Sequence, residues 1–290
     1  MKTQKFLNFF LLAVFVLNFT PILRAQTKSL IKRTTYKTDN LEFEPGGTIS
    51  IVGAPSGSVS IEGWQKNEVE ISADIEVQAE TEMDLARLAQ TNGFILDKNF
   101  RHLSIISVGT HDKNYLKRIA GKLPKNLLLM PFRIDYRIKV PSFCRLEIDG
   151  GQGDLQISKI VGAIRINFLR SNAKLDLEGG IINATFGSGN VDISVNSRVL
   201  PESNFDVQMA DGTINVELTN NIDAEFSAKI LRTGRIENAS NLLKPPHRAT
   251  FTEKLIAARV GRGRTRLSFI VGDGTIKIRD SKFSDEQLEE

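Results

Sequence analysis

The residues that could do chemistry are few and widely separated. Histidines stand at His102, His111 and His247, and Cys144 is the one cysteine. No His-x-x-His, His-Glu-x-x-His or Cys-x-x-Cys spacing sets two ligands on one face for a metal. The better candidates are charged residues set in short apolar triplets: Asp154 ahead of Leu155-Gln156-Ile157, Arg165 inside Ile164-Arg165-Ile166, Asp176 inside Leu175-Asp176-Leu177, and Asp192 inside Val191-Asp192-Ile193. Gathered on one outer face, such carboxylates with a nearby cation would suit acid–base cleavage of a polysaccharide. A solvated sheet face carries the same alternating charges with no chemistry attached. The sequence therefore assigns no catalytic, cofactor-binding or metal-ligating residue.

Other motifs have equally plain readings. Asp211-Gly212 and Asp273-Gly274 lack the run of Gly-Gly-x-Gly-x-Asp units that stacks calcium ions, and Asp beside Gly is a turn former. No glycine cluster is followed by Lys-Ser or Lys-Thr opening a helix, so phosphate cradling is unsupported. Trp64 follows Gly63 at a corner, where it either offers a ring for a sugar to stack on or covers the end of the apolar core. Cys144 opens a strand, the setting of a buried structural thiol.

The elements that must hold these residues are strands. In "NEVEISADIEVQAE" Val69, Ile71, Ala73, Ile75 and Val77 share one face, and acidic or polar residues take the other. A helix is expected over Thr81–Gln90, with Asn92-Gly93 ending it. A basic excursion follows at 109–131, carrying the apolar patch Leu127, Leu128, Leu129 and Met130, the one place where peripheral contact with a membrane surface is conceivable. From Leu146 to Val191 apolar–polar–apolar triplets recur with a mean step of nine residues, with glycines such as Gly150, Gly151, Gly153, Gly187 and Gly189 in the intervals. Triplets this short cannot bury an apolar face alone, whereas stacked turns of chain can. The reading is all-β: a single-stranded parallel β-helix, or β-solenoid, of two or three strands per coil, right-handed as parallel crossovers are. The alternative is a β-sandwich, whose strands are commonly longer and its loops less even. Pro245-Pro246 marks a Pro-rich loop over 239–250.

Residues 1–25 read as a secretory signal peptide: Lys2 and Lys5, an apolar run from Phe6 to Phe19, Pro21, and small Ala25 at the cleavage point, with the mature chain starting at or near Gln26; the alternative is an uncleaved N-terminal anchor. Residues 26–41 form a lead-in segment, 42–279 the β domain, and 280–290 an acidic tail. The chain holds 38 Lys plus Arg against 34 Asp plus Glu, and Lys2, Lys5 and Arg24 leave with the signal. The remaining near-neutral chain has no electrostatic footprint for nucleic acid. An exported chain with one cysteine has no internal disulfide and must rely on its core.

The stretch "GGTISIVGAPSGSVSIEGWQKNEVEISADIEVQAET" resembles the opening of the bacterial putative-adhesin domains, with Gly63-Trp64 and the strand Val69–Ala73 in matching order. "IKVPSFCRLEI" is similar to that family's Pro-proximal strand. "GDLQI" (153–157), "GNVDI" (189–193), "DGTINV" (211–216) and "DGTIKI" (273–278) are similar to its repeats. The likeness covers about residues 42–279; the 109–131 excursion and the Pro-Pro loop depart from it. It implies an exported, single-stranded β-helix and brings no catalytic residues. The expected function is a non-catalytic exported binding, adhesion or cell-envelope scaffold protein, periplasmic or secreted, with a surface, glycan or envelope protein as partner and no cofactor. The alternative is a polysaccharide lyase or hydrolase using acidic residues on one outer face.

Overall fold

The computed structural model describes residues 29–118, 123–195, 202–247 and 250–281. The leader at 1–25 and the tail beyond 281 lie outside the described residues, as do 119–122 of the basic excursion and 248–249 of the Pro-rich loop. The segment from Ile31 onward is one compact unit. Its elements in chain order are β1 (Ile31–Glu42), β2 (Thr48–Ser56), β3 (Val59–Trp64), β4 (Glu68–Ala79), α1 (Glu82–Thr91), β5 (Gly93–Asn99) and β6 (His102–Val108). There follow α2 (Lys113–Arg118), a 3-10 turn (Lys125–Leu129), β7 (Phe132–Pro141), β8 (Arg145–Gln152) and β9 (Leu155–Val195). The series closes with β10 (Asn204–Leu218), β11 (Ala224–Ile230), β12 (Gly234–Asn238), β13 (Leu255–Val260) and β14 (Thr265–Asp280).

The fold is all-β, and the strands join in one mixed sheet with the order β1-β4-β7-β3-β9-β10-β14-β11-β13 along its main path. The triplets pair in parallel, though not with their neighbours in sequence. Leu146 and Ile148 in β8 stand opposite Ile164 and Ile166 in β9, while Leu155 and Ile157 stand opposite Val59 and Ile61 in β3. Hydrogen bonds from Asn167 to Asp149, Asn172 to Asp154 and Asn190 to Asn172 each span 18 residues. The nine-residue step is thus half of an 18-residue repeat, and alternate triplets belong to different stacks. β9 pairs in parallel with β10, and β10 with β14, with Phe205 facing Ile182 and Leu267, and Ile214 facing Val191 and Ile276. All of these apolar residues are buried.

A uniformly parallel helix, as expected from the triplets, is not what forms, because antiparallel strands flank the parallel region. β4 pairs antiparallel with both β1 and β7, β5 with β6, and β13 with β11. β5 and β6 are joined only by Phe100 and Arg101, and so short a link permits antiparallel pairing alone. The boundary read at residue 42 moves as well: β1 pairs along its whole length with β4, so the supposed lead-in is part of the sheet. β1 escapes hydrophobic patterning because it lies at the end of the strand order and is polar on both faces. Its Lys37 Nζ donates to the Phe94 carbonyl at 2.7 Å and sits 4.1 Å from that ring's centroid, and its Arg33 pairs with Glu82 of α1 at 2.7 Å. An edge so dressed is a poor template for further strands.

The helix forms as expected, beginning where Thr81 Oγ1 accepts the Asp84 backbone N–H at 3.1 Å. Asn92 ends it: buried, it donates to the Leu88 carbonyl at 2.9 Å, and its own side-chain oxygen accepts the Thr110 N–H at 3.1 Å. Cys144 is buried in the core, and burial pushes its thiol up to about 12, which leaves it a packing residue. Tyr136 is fully buried, with its hydroxyl 2.8 Å from that of buried Ser107, and burial lifts its pKa to about 12. Tyr136→Phe leaves the Ser107 hydroxyl without this partner. It is expected to cost about 1–3 kcal/mol, read as a lower urea midpoint at constant m-value.

Candidate functional site

The alternation that buries one face of each strand lays the other out in ladders. Across β7, β3 and the start of β9, Arg137, Ser60 and Gln156 are successive partners, and so are Lys139, Glu62 and Ser158. Further along, Asp192, Asn215 and Lys277 align, then Ser194, Glu217 and Arg279. Most charges in these ladders are answered by a neighbour: Arg137 by Asp74 at 3.0 Å, Lys139 by Glu70 at 3.4 Å, Lys159 by Glu62 at 2.7 Å and Arg279 by Glu217 at 2.8 Å. Exposed pairs of this kind contribute little stability; their effect is to leave a surface of low net field.

Within this face lies a hollow of about 880 Å³, lined by Lys174, Asp176, Asp192, Ser194, Asn215, Glu217, Lys277 and Arg279. Asp192 accepts from Asn215 Nδ2 at 2.6 Å. Asp176 is half-buried, and burial raises its pKa from the ordinary aspartate value against the pull of Lys174 and Lys159. A second hollow of about 490 Å³ lies at the corner before this face, lined by Ser58, Arg133, Gly153, Asp154, Arg170, Asn172 and Ser188. There Arg133 is held by Asp135 at 2.6 Å, while Asp154 accepts from Asn172 at 3.3 Å.

The charged residues singled out from the triplets therefore separate. Asp176 and Asp192 meet in the face hollow, and Asp154 lines the corner hollow. Arg165 stands in another ladder, opposite Glu147 and 4.0 Å from Asp149. The histidines do not meet either. His111 stacks on Phe132 with ring centroids 5.2 Å apart, and burial lowers its pKa against the pull of Asp112. His247 is exposed in the Pro-rich loop.

One constellation escaped the sequence reading. Stacking β6, β2 and β8 sets His102 Nε2 at 3.1 Å from Ser50 Oγ and 3.0 Å from Ser104 Oγ, and Ser50 Oγ donates to Glu147 at 3.3 Å. The only signal was positional: Ser50, Ser104 and Glu147 are the middle residues of three similar triplets, Ile-Ser-Ile, Leu-Ser-Ile and Leu-Glu-Ile. It is not arranged for nucleophilic catalysis. A triad's carboxylate orients the imidazole from its far nitrogen, whereas here Glu147 accepts a hydrogen bond from the serine hydroxyl itself and one histidine nitrogen serves both hydroxyls.

Trp64 is not an open stacking platform. Its Nε1 donates to the Glu68 carbonyl at 2.8 Å, and the Lys66 and Lys139 ammoniums sit 4.7 and 5.3 Å from the ring centroid. At the Asp-Gly corners Asp211 stacks on Asp273, and the Arg232 guanidinium, at 2.8 and 2.6 Å, holds the Asp273 carboxyl below its usual range. No group of three potential metal ligands occurs among the described residues. In the 127–130 patch Leu127 is buried in the core, Met130 packs against it and Leu128 is half-buried, which leaves Leu129 as its exposed apolar side chain. No described helix is long and apolar enough to cross a membrane.

No family model matches this chain, and no curated protein matches its sequence. Among solved structures it is similar to a putative cell adhesion protein from Clostridium sporogenes, at 13% identity and a TM-score of 0.45, covering 85% of this chain and 100% of that one. It is also similar to a putative adhesin from Bacteroides fragilis, at 11% identity and a TM-score of 0.30, covering 88% of this chain and 98% of that one. A third is a putative lipid binding protein from Parabacteroides distasonis, at 9% identity and a TM-score of 0.22, covering 86% and 97%. Likenesses this distant carry no weight in the reading of the site.

Proposed function

We propose that this chain is an exported, non-catalytic binding protein of the bacterial envelope whose parallel region is a right-handed β-solenoid and whose outer face receives a polar ligand. The observation that carries the reading is the face hollow of about 880 Å³, in which three cations stand among three carboxylates. A lining of balanced charge suits hydrogen bonding to a polar partner more than the capture of an ion. The solenoid reading draws its support from the 18-residue repeat and from the parallel registers of β8, β9, β10 and β14.

One observation favours a second reading, a polysaccharide hydrolase or lyase. Asp176 is a half-buried carboxylate whose pKa burial moves in the direction a general acid needs, and Asp192 lines the same hollow. The two readings part on turnover. Incubation of the protein with neutral and acidic polysaccharides, followed by reducing-end and unsaturated-product assays, is expected to show no product. Product formation that disappears in Asp176→Asn or Asp192→Asn would overturn the binding reading.

A further inference from the structure

The two hollows lie on shared strands. Asn172 lines the corner hollow and Lys174 the face hollow, two residues apart on one outward side of β9. One 18-residue repeat later Asn190, hydrogen-bonded to Asn172 at 3.5 Å, stands two residues before Asp192 of the face hollow. Two residues of strand span about 7 Å, so the linings of the two hollows approach that closely along β9. Counted from Ser58, which Arg133 of β7 flanks on the far side, the combined lining passes Asp154 and Asn172 and ends at Lys277 in β14. That is six adjacent segments, or about 24 Å at the ordinary strand spacing.

We propose that the two hollows form one continuous track for a linear, uncharged, hydroxyl-rich polymer: an oligosaccharide lying obliquely across the stacked strands. The proposal rests on the binding reading above and adds ligand class and extent to it. The lining sets carboxylate acceptors and amide donors among five cations, Arg133 and Arg170 in the corner and Lys174, Lys277 and Arg279 in the face. Asp154 and Asp192 each accept one amide hydrogen bond from a neighbouring strand, from Asn172 and Asn215. A carboxylate offers about four acceptor positions, so each keeps capacity for sugar hydroxyls. In the face hollow three cations stand against three carboxylates, and in the corner hollow Arg170 stands against Asp154 while Arg133 is held by Asp135, so the track gives no net attraction for a polyanion. Among the described residues no aromatic ring lines either hollow, so this lining holds each sugar unit by hydrogen bonds. Single units then bind weakly, and affinity must accumulate along the chain.

The test is calorimetric titration of the full-length exported protein with N-acetylglucosamine oligomers and β-glucan oligomers of increasing length, with oligogalacturonate as the anionic arm. Affinity for at least one neutral series is expected to rise with length, by at least about tenfold as a few hydrogen bonds are added. It should level off once the oligomer reaches about 24 Å. Asn172→Ala in the corner and Asn215→Ala in the face should each shorten the length at which the plateau begins, with unchanged thermal melts. A plateau that Asn172→Ala leaves in place, while Asn215→Ala abolishes binding, would confine the ligand to the face hollow and sink the track while leaving the binding reading intact. Preference for oligogalacturonate, or no binding in any series, would equally overturn the proposal; the product assay decides the non-catalytic reading independently.

Discussion

Replacing Ile157 with Asp is expected to destabilise the protein by several kcal/mol, whereas Gln156→Asp, one residue earlier, changes stability by no more than about 0.5 kcal/mol. Ile157 is 1% exposed and lies opposite Ile61 of β3, within the apolar stack. A carboxylate placed there has no cation to pair with. It must either stay ionised at a severe desolvation cost or take up a proton and remain a buried polar group among methyl groups. Gln156 projects from the same strand into water. Domains are commonly stable by about 5–15 kcal/mol, so the Ile157 change removes a large part of the margin. Urea unfolding followed by circular dichroism reads both variants. A midpoint shift for Ile157→Asp no larger than that for Gln156→Asp would show that this side chain does not face the core.

The same pair of neighbours shows what was legible in the sequence. A half-buried strand writes its orientation into alternating residue types, so Leu146, Ile157, Ile164, Val191, Ile214 and Ile276 could all be placed inside, and all are buried. Alternation says nothing about which strand lies alongside. The triplets step by nine residues, but partners lie 18 apart, because the intervening triplet belongs to the other stack. Antiparallel flanks are invisible for the same reason, and β1 was missed because a polar edge strand has no apolar face to display. Site legibility failed in proportion to sequence distance. Asp176 and Asp192 fall within one repeat and one hollow, whereas Ser50 and Glu147 are 97 residues apart and meet only through the register of β2 with β8.

Registers of this kind require corners that hold to within an ångström, and Gly153 is where the requirement is sharpest. It turns the chain at φ +147°, a conformation that side-chain-bearing residues rarely adopt, and a Cβ added there would lie 1.7 Å from the Gly57 carbonyl oxygen in the adjacent corner. That oxygen is backbone and cannot swing aside. Gly153→Ala must therefore part the two corners, straining the bonds from Gly57 N–H to the Gln152 carbonyl at 3.0 Å, from Val59 N–H to the Asp154 carbonyl at 2.8 Å, and from Gly153 N–H to the Arg170 carbonyl at 3.1 Å. The strained backbone together with weakened hydrogen bonds is expected to cost about 3–5 kcal/mol. Gly93→Ala is the control: its added Cβ meets only the end of the Ile75 side chain at 3.7 Å, an ordinary contact. Thermal and urea unfolding should place Gly153→Ala far below the parent and Gly93→Ala close to it. Equal stability of the two variants would mean that the corners are not stacked this closely. Because Gly153 also lines the corner hollow, a variant that folded with its corners parted would carry a distorted surface there, tying the packing of these corners to whatever the protein binds.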